Sequence, residues 1–156
     1  PIVAIDLVDS KLELARERGA THCLNPSTAG DMDAAIRKIV GEKGPDKVIE
    51  TTGAKQVIEL AYNLTHADGT CVLVGVPSEK VTIYTLPIHF NKVLTGSHGG
   101  DAVPQVDIPR LIRLNQAGRL SFDGIITHEF PLEEINTALD VVRSGAAGRV
   151  VLKIAA

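Results

Sequence analysis

An acidic side chain, Asp6, follows the short apolar run Ile2-Val3-Ala4-Ile5, and a polar turn and a helix-forming run come directly after it. A carboxylate at the carboxyl end of a buried strand, just before a helix, can accept two hydrogen bonds from the ribose hydroxyls of a dinucleotide. It would also repel a 2′-phosphate, which favours NAD over NADP. The competing explanation is that Asp6 only caps the following turn.

The phosphate-binding loop that should precede such an acid is missing from this sequence. The loop is rich in glycine and normally lies about 20 residues before the acid. Only five residues precede Asp6, and no Gly-x-Gly-x-x-Gly occurs in the chain. We therefore expect a nucleotide-binding domain without its first βα unit. That strand is central in the order 3-2-1-4-5-6, so its loss leaves a gap and makes stable folding of the chain alone doubtful.

Three later strand ends also carry small or polar residues, and two basic residues lie near such ends. The strand ends are Thr51-Thr52-Gly53, Gly75-Val76-Pro77 and Gly96-Ser97-His98. Ligands of parallel sheets bind at the carboxyl ends of the strands, where small residues permit close approach. Lys11 is either a second ribose or phosphate contact or a solvated helix charge. Arg149 begins the last strand and either pairs with a pyrophosphate or is an edge charge.

Composition and spacing exclude several other classes of protein. The net charge is −3 without a Lys/Arg cluster, which argues against a nucleic-acid partner. No apolar run approaches the roughly 18 residues of a membrane span. Cys23 and Cys71 form no Cys-x-x-Cys pair, which is typical of free thiols in a reducing compartment and predicts a cytoplasmic protein. The five histidines lack zinc-ligand spacing, so we expect neither a metal site nor catalytic residues within this chain.

Predicted strands and helices alternate along the sequence, which indicates an α/β fold with a parallel sheet in one domain, residues 1–156. Val81–Tyr84 alternates like an edge strand. Asp107 is predicted to cap a helix with Ile108, Leu111 and Ile112 on its inner face. A later helix, opened by Pro131, places Leu132, Ile135, Leu139 and Val142 inward. The predicted strands are Ile2–Asp6, Ala20–Leu24, Lys47–Thr52, Thr70–Val76, Val81–Tyr84, Val93–Gly96, Ile125–Phe130 and Arg149–Ile154.

Several runs together resemble the nucleotide-binding domain of medium-chain, zinc-type alcohol dehydrogenases. The likeness extends over essentially the whole chain, in order. The loop Gly96-Ser97-His98-Gly99-Gly100 is similar to that of bacterial members acting on primary or aromatic alcohols. The other runs are Ile5-Asp6 through Ala15, Gly19-Ala20-Thr21-His22-Cys23-Leu24-Asn25-Pro26, Asp46-Lys47-Val48-Ile49-Glu50-Thr51-Thr52-Gly53, Gly69–Pro77, Ile126-Thr127-His128, Pro131–Asn136, Arg143-Ser144-Gly145 and Gly148-Arg149.

The resemblance implies a Rossmann-like, doubly wound parallel sheet that lacks its first βα unit and binds NAD. Asp6 and Lys11 would hold the adenosine ribose, and Arg149 would bind the pyrophosphate. The remaining predicted contacts are Thr52 beside the cofactor, Val74, Gly75 and Val76 against the nicotinamide half, and Ser97 and His98 offering backbone groups to the carboxamide.

In this family the zinc ligands, proton relay and alcohol or aldehyde pocket come mostly from a separate catalytic domain. The resemblance therefore implies that this chain alone is inactive, and that Val81–Tyr84 pairs across a twofold axis in a homo-oligomer. Two other functions stay open. An S-adenosylmethionine methyltransferase would finish with an antiparallel strand pair. A non-catalytic dimerisation or regulatory module would leave NADH fluorescence unchanged.

Overall fold

The computed structural model describes residues 1–154 and divides the chain into two compact units, Pro1–Asp101 and a second unit from Ala102 onwards. Every strand pair in both units is parallel, and helices connect the paired strands. The predicted α/β class with parallel sheets is therefore confirmed. The boundary of a single domain over residues 1–156 stays a prediction.

The first unit begins with a two-stranded parallel sheet. Strand β1 (Val3–Ile5) is followed by helix α1 (Asp9–Glu17) and then by strand β2 (His22–Leu24), which pairs with β1. Two short helices follow, α2 (Pro26–Ala29) and α3 (Met32–Val40). Asp31 caps α3 as its position before the apolar-periodic run predicts, because its side chain accepts a hydrogen bond from Ala34 N.

A three-stranded sheet of order β3-β4-β5 completes the first unit. Its elements are β3 (Lys47–Glu50), α4 (Lys55–Leu64), β4 (Thr70–Leu73) and β5 (Val93–Gly96). Ala61 and Tyr62 of α4 pack with Cys71 of β4 in the core of this sheet. The hydroxyl of Tyr62 donates to the carbonyl of Tyr84, so burial leaves no unpaired polar group there.

The predicted gap between the first strand and the third is present. Strand β1 pairs only with β2 and β3 only with β4, so each has one edge that no described strand occupies. Apolar side chains beside these edges are exposed, Ile5 to 47% and Ile49 to 68%. Burying such aliphatic side chains contributes about 1.5–3 kcal/mol each, so the first unit lacks a sizeable part of a closed sheet's stability.

The prediction of a strand at Val81–Tyr84 is wrong for the isolated chain. Val81 and Ile83 are half-buried and Thr82 and Tyr84 are exposed, which is the predicted alternation. No described strand lies beside the segment to exchange backbone hydrogen bonds with it. Its backbone is anchored to α4 instead, because Thr82 N donates to Glu59 Oε1 at 2.8 Å.

The second unit contains α5 (Pro104–Gln116), β6 (Ile126–Pro131), α6 (Ile135–Arg143) and β7 (Arg149–Lys153). Strands β6 and β7 are parallel, so the antiparallel pair expected of a methyltransferase is not found within residues 1–154. Helix α5 starts three residues before the predicted cap, because Pro104 fits the first turn of a helix. Asp107 is therefore a residue of the first turn of α5, and its carboxylate accepts a hydrogen bond from Val103 N at 2.8 Å.

The predicted inner faces of α5 and α6 are also wrong. Ala138 is the one apolar residue of the second unit that is buried among the described residues. A single two-stranded sheet offers these helices little surface to cover an apolar face. The side chains predicted to point inward are exposed by 39–55%, namely Ile108, Leu111, Ile112, Leu132, Ile135, Leu139 and Val142.

Candidate functional site

Glu50 ends strand β3 with a buried carboxylate. The side chain is only 3% exposed, and all its partners lie in the turn that follows. Oε1 accepts hydrogen bonds from Thr52 N at 2.6 Å, Thr52 Oγ1 at 2.5 Å and Gly53 N at 3.1 Å, while Oε2 lies 3.3 Å from Gly53 N. The strand stops at Glu50, two residues before its predicted end, because this carboxylate takes the backbone donors of the turn.

Gly53 and Gly75 bring the tips of β3 and β4 into backbone contact. A Cβ on Gly75 would lie 2.1 Å from Gly53 N, and a Cβ on Gly53 would lie 2.5 Å from the carbonyl oxygen of Val76. Both distances are far below van der Waals contact. Gly53 also has a φ of +72°, a conformation that favours glycine. The small residues that the sequence places at these strand ends therefore allow the segments after β3 and β4 to pack closely against each other.

An open groove lies at the carboxyl ends of β4 and β5. It brings together five of the predicted site residues, Val74, Gly75, Val76, Ser97 and His98. Val74 N and Gly75 N donate to the carbonyl of Glu50, and Ser97 N donates to the carbonyl of Leu73, so hydrogen bonds to neighbouring strands fix both walls. The remaining lining residues are Leu73, Pro77, Thr95, Gly96 and Asp101.

Asp6 lies at the carboxyl end of β1, as predicted, and is partly buried. Its Oδ1 accepts from Val8 N at 2.9 Å, which gives it the turn-capping role named as the competing explanation. Its Oδ2 has no hydrogen-bond partner among residues 1–154, so half of the carboxylate stays available for a ligand. Lys11 lies in the first turns of α1, where its backbone N donates to the carbonyl of Val8.

Thr52 and Arg149 occupy different surroundings. Thr52 is exposed beside Gly53, but its hydroxyl donates to Glu50 Oε1 and accepts from Ala54 N at 3.0 Å. Arg149 begins β7 in the second unit, where it is exposed and its backbone N donates to the carbonyl of Ile125. The groove and Asp6 belong to the first unit, whereas Arg149 belongs to the second.

Within residues 1–154 no group of three or more His, Cys, Asp or Glu side chains could hold a metal ion. Among the described residues, Asp6 leaves one carboxylate oxygen unpaired after β1, and such an oxygen can accept a hydrogen bond from a ribose hydroxyl. Glycines lie at the ends of β3, β4 and β5, where they permit a flat ligand to approach the backbone closely. None of the helices in that range is long and apolar enough to cross a membrane.

Glu50 is absent from the residues that the sequence predicts for the site. A usable signal was present. Glu50 ends an apolar strand and precedes the small polar turn Thr51-Thr52-Gly53, which is the pattern that singled out Asp6. The two acids differ in burial, and burial is set by the packing of β3 against β4 rather than by the local sequence.

Known proteins resemble this chain over nearly all its length. The family model described as "Zinc-binding dehydrogenase" matches residues 1–117. Alcohol dehydrogenase 1 of Pisum sativum is 33% identical over 98% of the chain and 41% of its own length. The class-P alcohol dehydrogenase of Arabidopsis thaliana is 32% identical over 99% of the chain and 42% of its own length. The chain thus spans about two fifths of the curated relatives that it matches.

Solved structures give the same result. The benzyl alcohol dehydrogenase of Acinetobacter calcoaceticus superposes with a TM-score of 0.88 at 31% identity, covering 99% of this chain and 42% of that structure's chain. An alcohol dehydrogenase zinc-binding domain protein of Burkholderia ambifaria superposes with a TM-score of 0.89 at 35% identity, with the same coverage. These findings confirm the resemblance that the sequence runs predict.

Proposed function

Because the chain belongs to the zinc-binding dehydrogenase family, we propose that it forms the NAD-binding part of an alcohol dehydrogenase that interconverts alcohols and aldehydes. The observation that carries this proposal is the groove at the ends of β4 and β5, which unites five of the residues predicted to contact the cofactor. Neighbouring strand ends of a parallel sheet are where such ligands bind.

Each predicted contact has a chemical task in this proposal. Asp6 accepts hydrogen bonds from the adenosine ribose through its free Oδ2, and Lys11 supports the same sugar. Arg149 binds the pyrophosphate, and the backbone groups of Ser97 and His98 hold the carboxamide. Thr52 lies beside the cofactor, and Val74, Gly75 and Val76 form the wall against the nicotinamide. When bound, NAD supplies the hydride acceptor.

The other parts of the enzyme belong to sequence outside this chain. Zinc ligands, the proton relay and the alcohol pocket would come from a longer polypeptide, which the coverage of two fifths of the relatives supports. The chain by itself would then show no dehydrogenase activity. We further propose a cytoplasmic homo-oligomer in which Val81–Tyr84 pairs with its copy, since the alternating segment lacks a neighbouring strand among residues 1–154.

The test is a titration of NADH fluorescence with the full-length protein that contains this chain. Replacing Asp6 by alanine should weaken NADH binding about tenfold or more, since the hydrogen bonds from the ribose hydroxyls to a charged group are lost. Glu13→Ala is the matched control, because Glu13 is an exposed acid in α1 without a predicted ligand. Its NADH affinity should stay within about twofold of the wild type.

Three results would contradict parts of the proposal. A wild-type protein that leaves NADH emission unchanged would favour the regulatory or dimerisation module instead. Equal affinities for the Asp6→Ala and Glu13→Ala variants would remove Asp6 from the binding site. Appreciable alcohol oxidation by residues 1–156 alone would refute the location of the catalytic residues outside this chain.

A further inference from the structure

We propose that Glu50 is a positioning residue, which sets the shape of the cofactor groove from beneath without touching the cofactor. The inference rests on the proposed function, because it concerns how the same groove is kept open. Its basis is the geometry of one buried carboxylate between two strand tips. Neither the sequence pattern nor the family membership assigns it a role.

The carboxylate holds the turn after β3 through a concentrated set of donors. Three hydrogen bonds converge on Oε1, from Thr52 N, Thr52 Oγ1 and Gly53 N, at 2.5–3.1 Å. Gly53 is buried, so its N–H has no access to water when the carboxylate is removed. An unpaired buried donor is costly, and the turn would therefore change conformation.

The backbone of the same residue holds the tip of β4. Val74 N donates to the carbonyl of Glu50 at 2.7 Å, and Gly75 N donates to it at 3.1 Å. A side chain at Gly75 would also meet Glu50 Oε2, at 2.8 Å from its Cβ. Glu50 thus contacts both segments, and a movement of Gly53 transmits directly to the residues that line the groove.

The arrangement also changes the expected role of Thr52. Its only hydroxyl proton is donated to Glu50, and the oxygen accepts from Ala54 N. No hydroxyl donor is left at this position for a cofactor. Thr52 therefore contributes to the groove by bracing the turn, and its exposed surface meets the cofactor without a donated hydrogen bond.

The experiment compares Glu50→Ala with Glu50→Gln in the full-length protein by NADH titration. The alanine variant should bind NADH at least tenfold more weakly. The glutamine variant should stay within about threefold of the wild type, because an amide oxygen in the place of Oε1 still accepts from the three donors. For both variants kcat at saturating NAD should change less than the KM for NAD, because Glu50 does not contact the reacting atoms.

Thr65→Val is the matched control for a general loss of stability. Thr65 is also 3% exposed, and its hydroxyl donates to the carbonyl of Ala61 in α4. This variant should lower the melting temperature while leaving the affinity for NADH within about twofold. If Thr65→Val weakens NADH binding as much as Glu50→Ala does, the effect is general destabilisation and the inference is overturned.

Amide hydrogen exchange separates this inference from the proposed function. Glu50→Ala should accelerate exchange at Gly53, Val74 and Gly75 relative to Thr65→Val, with or without NADH. Unchanged exchange at these amides, or NADH binding by folded Glu50→Ala that equals the wild type, would overturn the positioning role. If exchange is faster in Glu50→Ala but the wild-type protein does not bind NADH, the positioning role is retained and only the proposed function is contradicted.

Discussion

Two acids stand at the carboxyl ends of strands in the two sheets of the first unit, and their environments are opposite. Asp6 follows β1 at the edge of a two-stranded sheet and uses one oxygen on Val8 N. Glu50 ends β3 in the three-stranded sheet, is 3% exposed, and accepts from three donors of the following turn. The same carboxylate chemistry therefore holds a loop in one sheet and remains available to a ligand in the other.

A strand-end acid is recognised as a binding group by the carboxylate oxygen that it leaves without a hydrogen-bond partner. A carboxylate has about four lone-pair positions. Those of Glu50 are largely occupied by its own turn, whereas Oδ2 of Asp6 has no partner within residues 1–154. The following predictions test this contrast, and they begin with the largest expected effect.

Truncation of the two acids should separate their contributions to stability. Glu50→Ala should lower the free energy of unfolding by about 3 kcal/mol, because it strands buried N–H groups. Asp6→Ala should cost less than about 1 kcal/mol, because it removes one hydrogen bond to a partly exposed carboxylate. Urea unfolding followed by circular dichroism measures both values. Equal losses would show that the two acids play the same structural part.

Replacing Gly75 by alanine should cause the next largest loss of stability. Its Cβ would lie 2.1 Å from Gly53 N, and backbone atoms give way less readily than side chains. We expect a loss of about 1–3 kcal/mol, which is the usual cost of overpacking. Gly96→Ala is the control at the tip of β5, where no atom lies within 4 Å of a Cβ. A Gly75 variant as stable as the Gly96 variant would mean that the two tips are not in close contact.

The reactivity of the two cysteine thiols compares how closely the two sheets are packed. Cys71 of β4 is fully buried, and burial raises the pKa of its thiol. Cys23 of β2 is half-buried and donates to the carbonyl of Leu12. In single-cysteine variants a disulfide reagent should therefore label Cys23 roughly tenfold faster than Cys71. Both should react at the same rate in denaturant, and similar rates in the folded protein would remove the contrast between the sheets.

The smallest effect is expected at His98. Its proposed contact is made by backbone groups, so His98→Ala should change the affinity for NADH by less than about threefold. Isothermal titration calorimetry measures this against the Asp6→Ala variant. A loss at His98 as large as that at Asp6 would show that the imidazole itself contacts the cofactor.

Local sequence was enough to predict the class of fold and the gap beside the first strand, because alternating elements and glycine punctuation act within about ten residues. It placed Asp6 and Ser97 correctly at strand ends. The ends of β3 and β4 were predicted at Thr52 and Val76, two and three residues beyond their observed ends at Glu50 and Leu73. Long-range packing was not accessible in this way. Whether Val81–Tyr84 forms a strand depends on a partner, and whether Glu50 is buried depends on how β3 packs against β4.

Helix predictions failed for a related reason. The apolar spacing of Ile108, Leu111 and Ile112 predicts an inward face, but spacing alone says nothing about the surface that covers it. Among the described residues of the second unit, that surface is the pair β6–β7 alone. The start of α5 was missed because Pro104 is itself a starting signal, and Asp107 is a first-turn acid that accepts from Val103 N.

The unoccupied edges of β1 and β3 have a consequence for handling the polypeptide. Each edge exposes unpaired N–H and C=O groups beside exposed aliphatic side chains. Such groups form hydrogen bonds with extended segments of other molecules. At high concentration we expect residues 1–156 to form mixed-register aggregates, which light scattering detects. A short apolar peptide able to enter between the two sheets should act as a solubiliser.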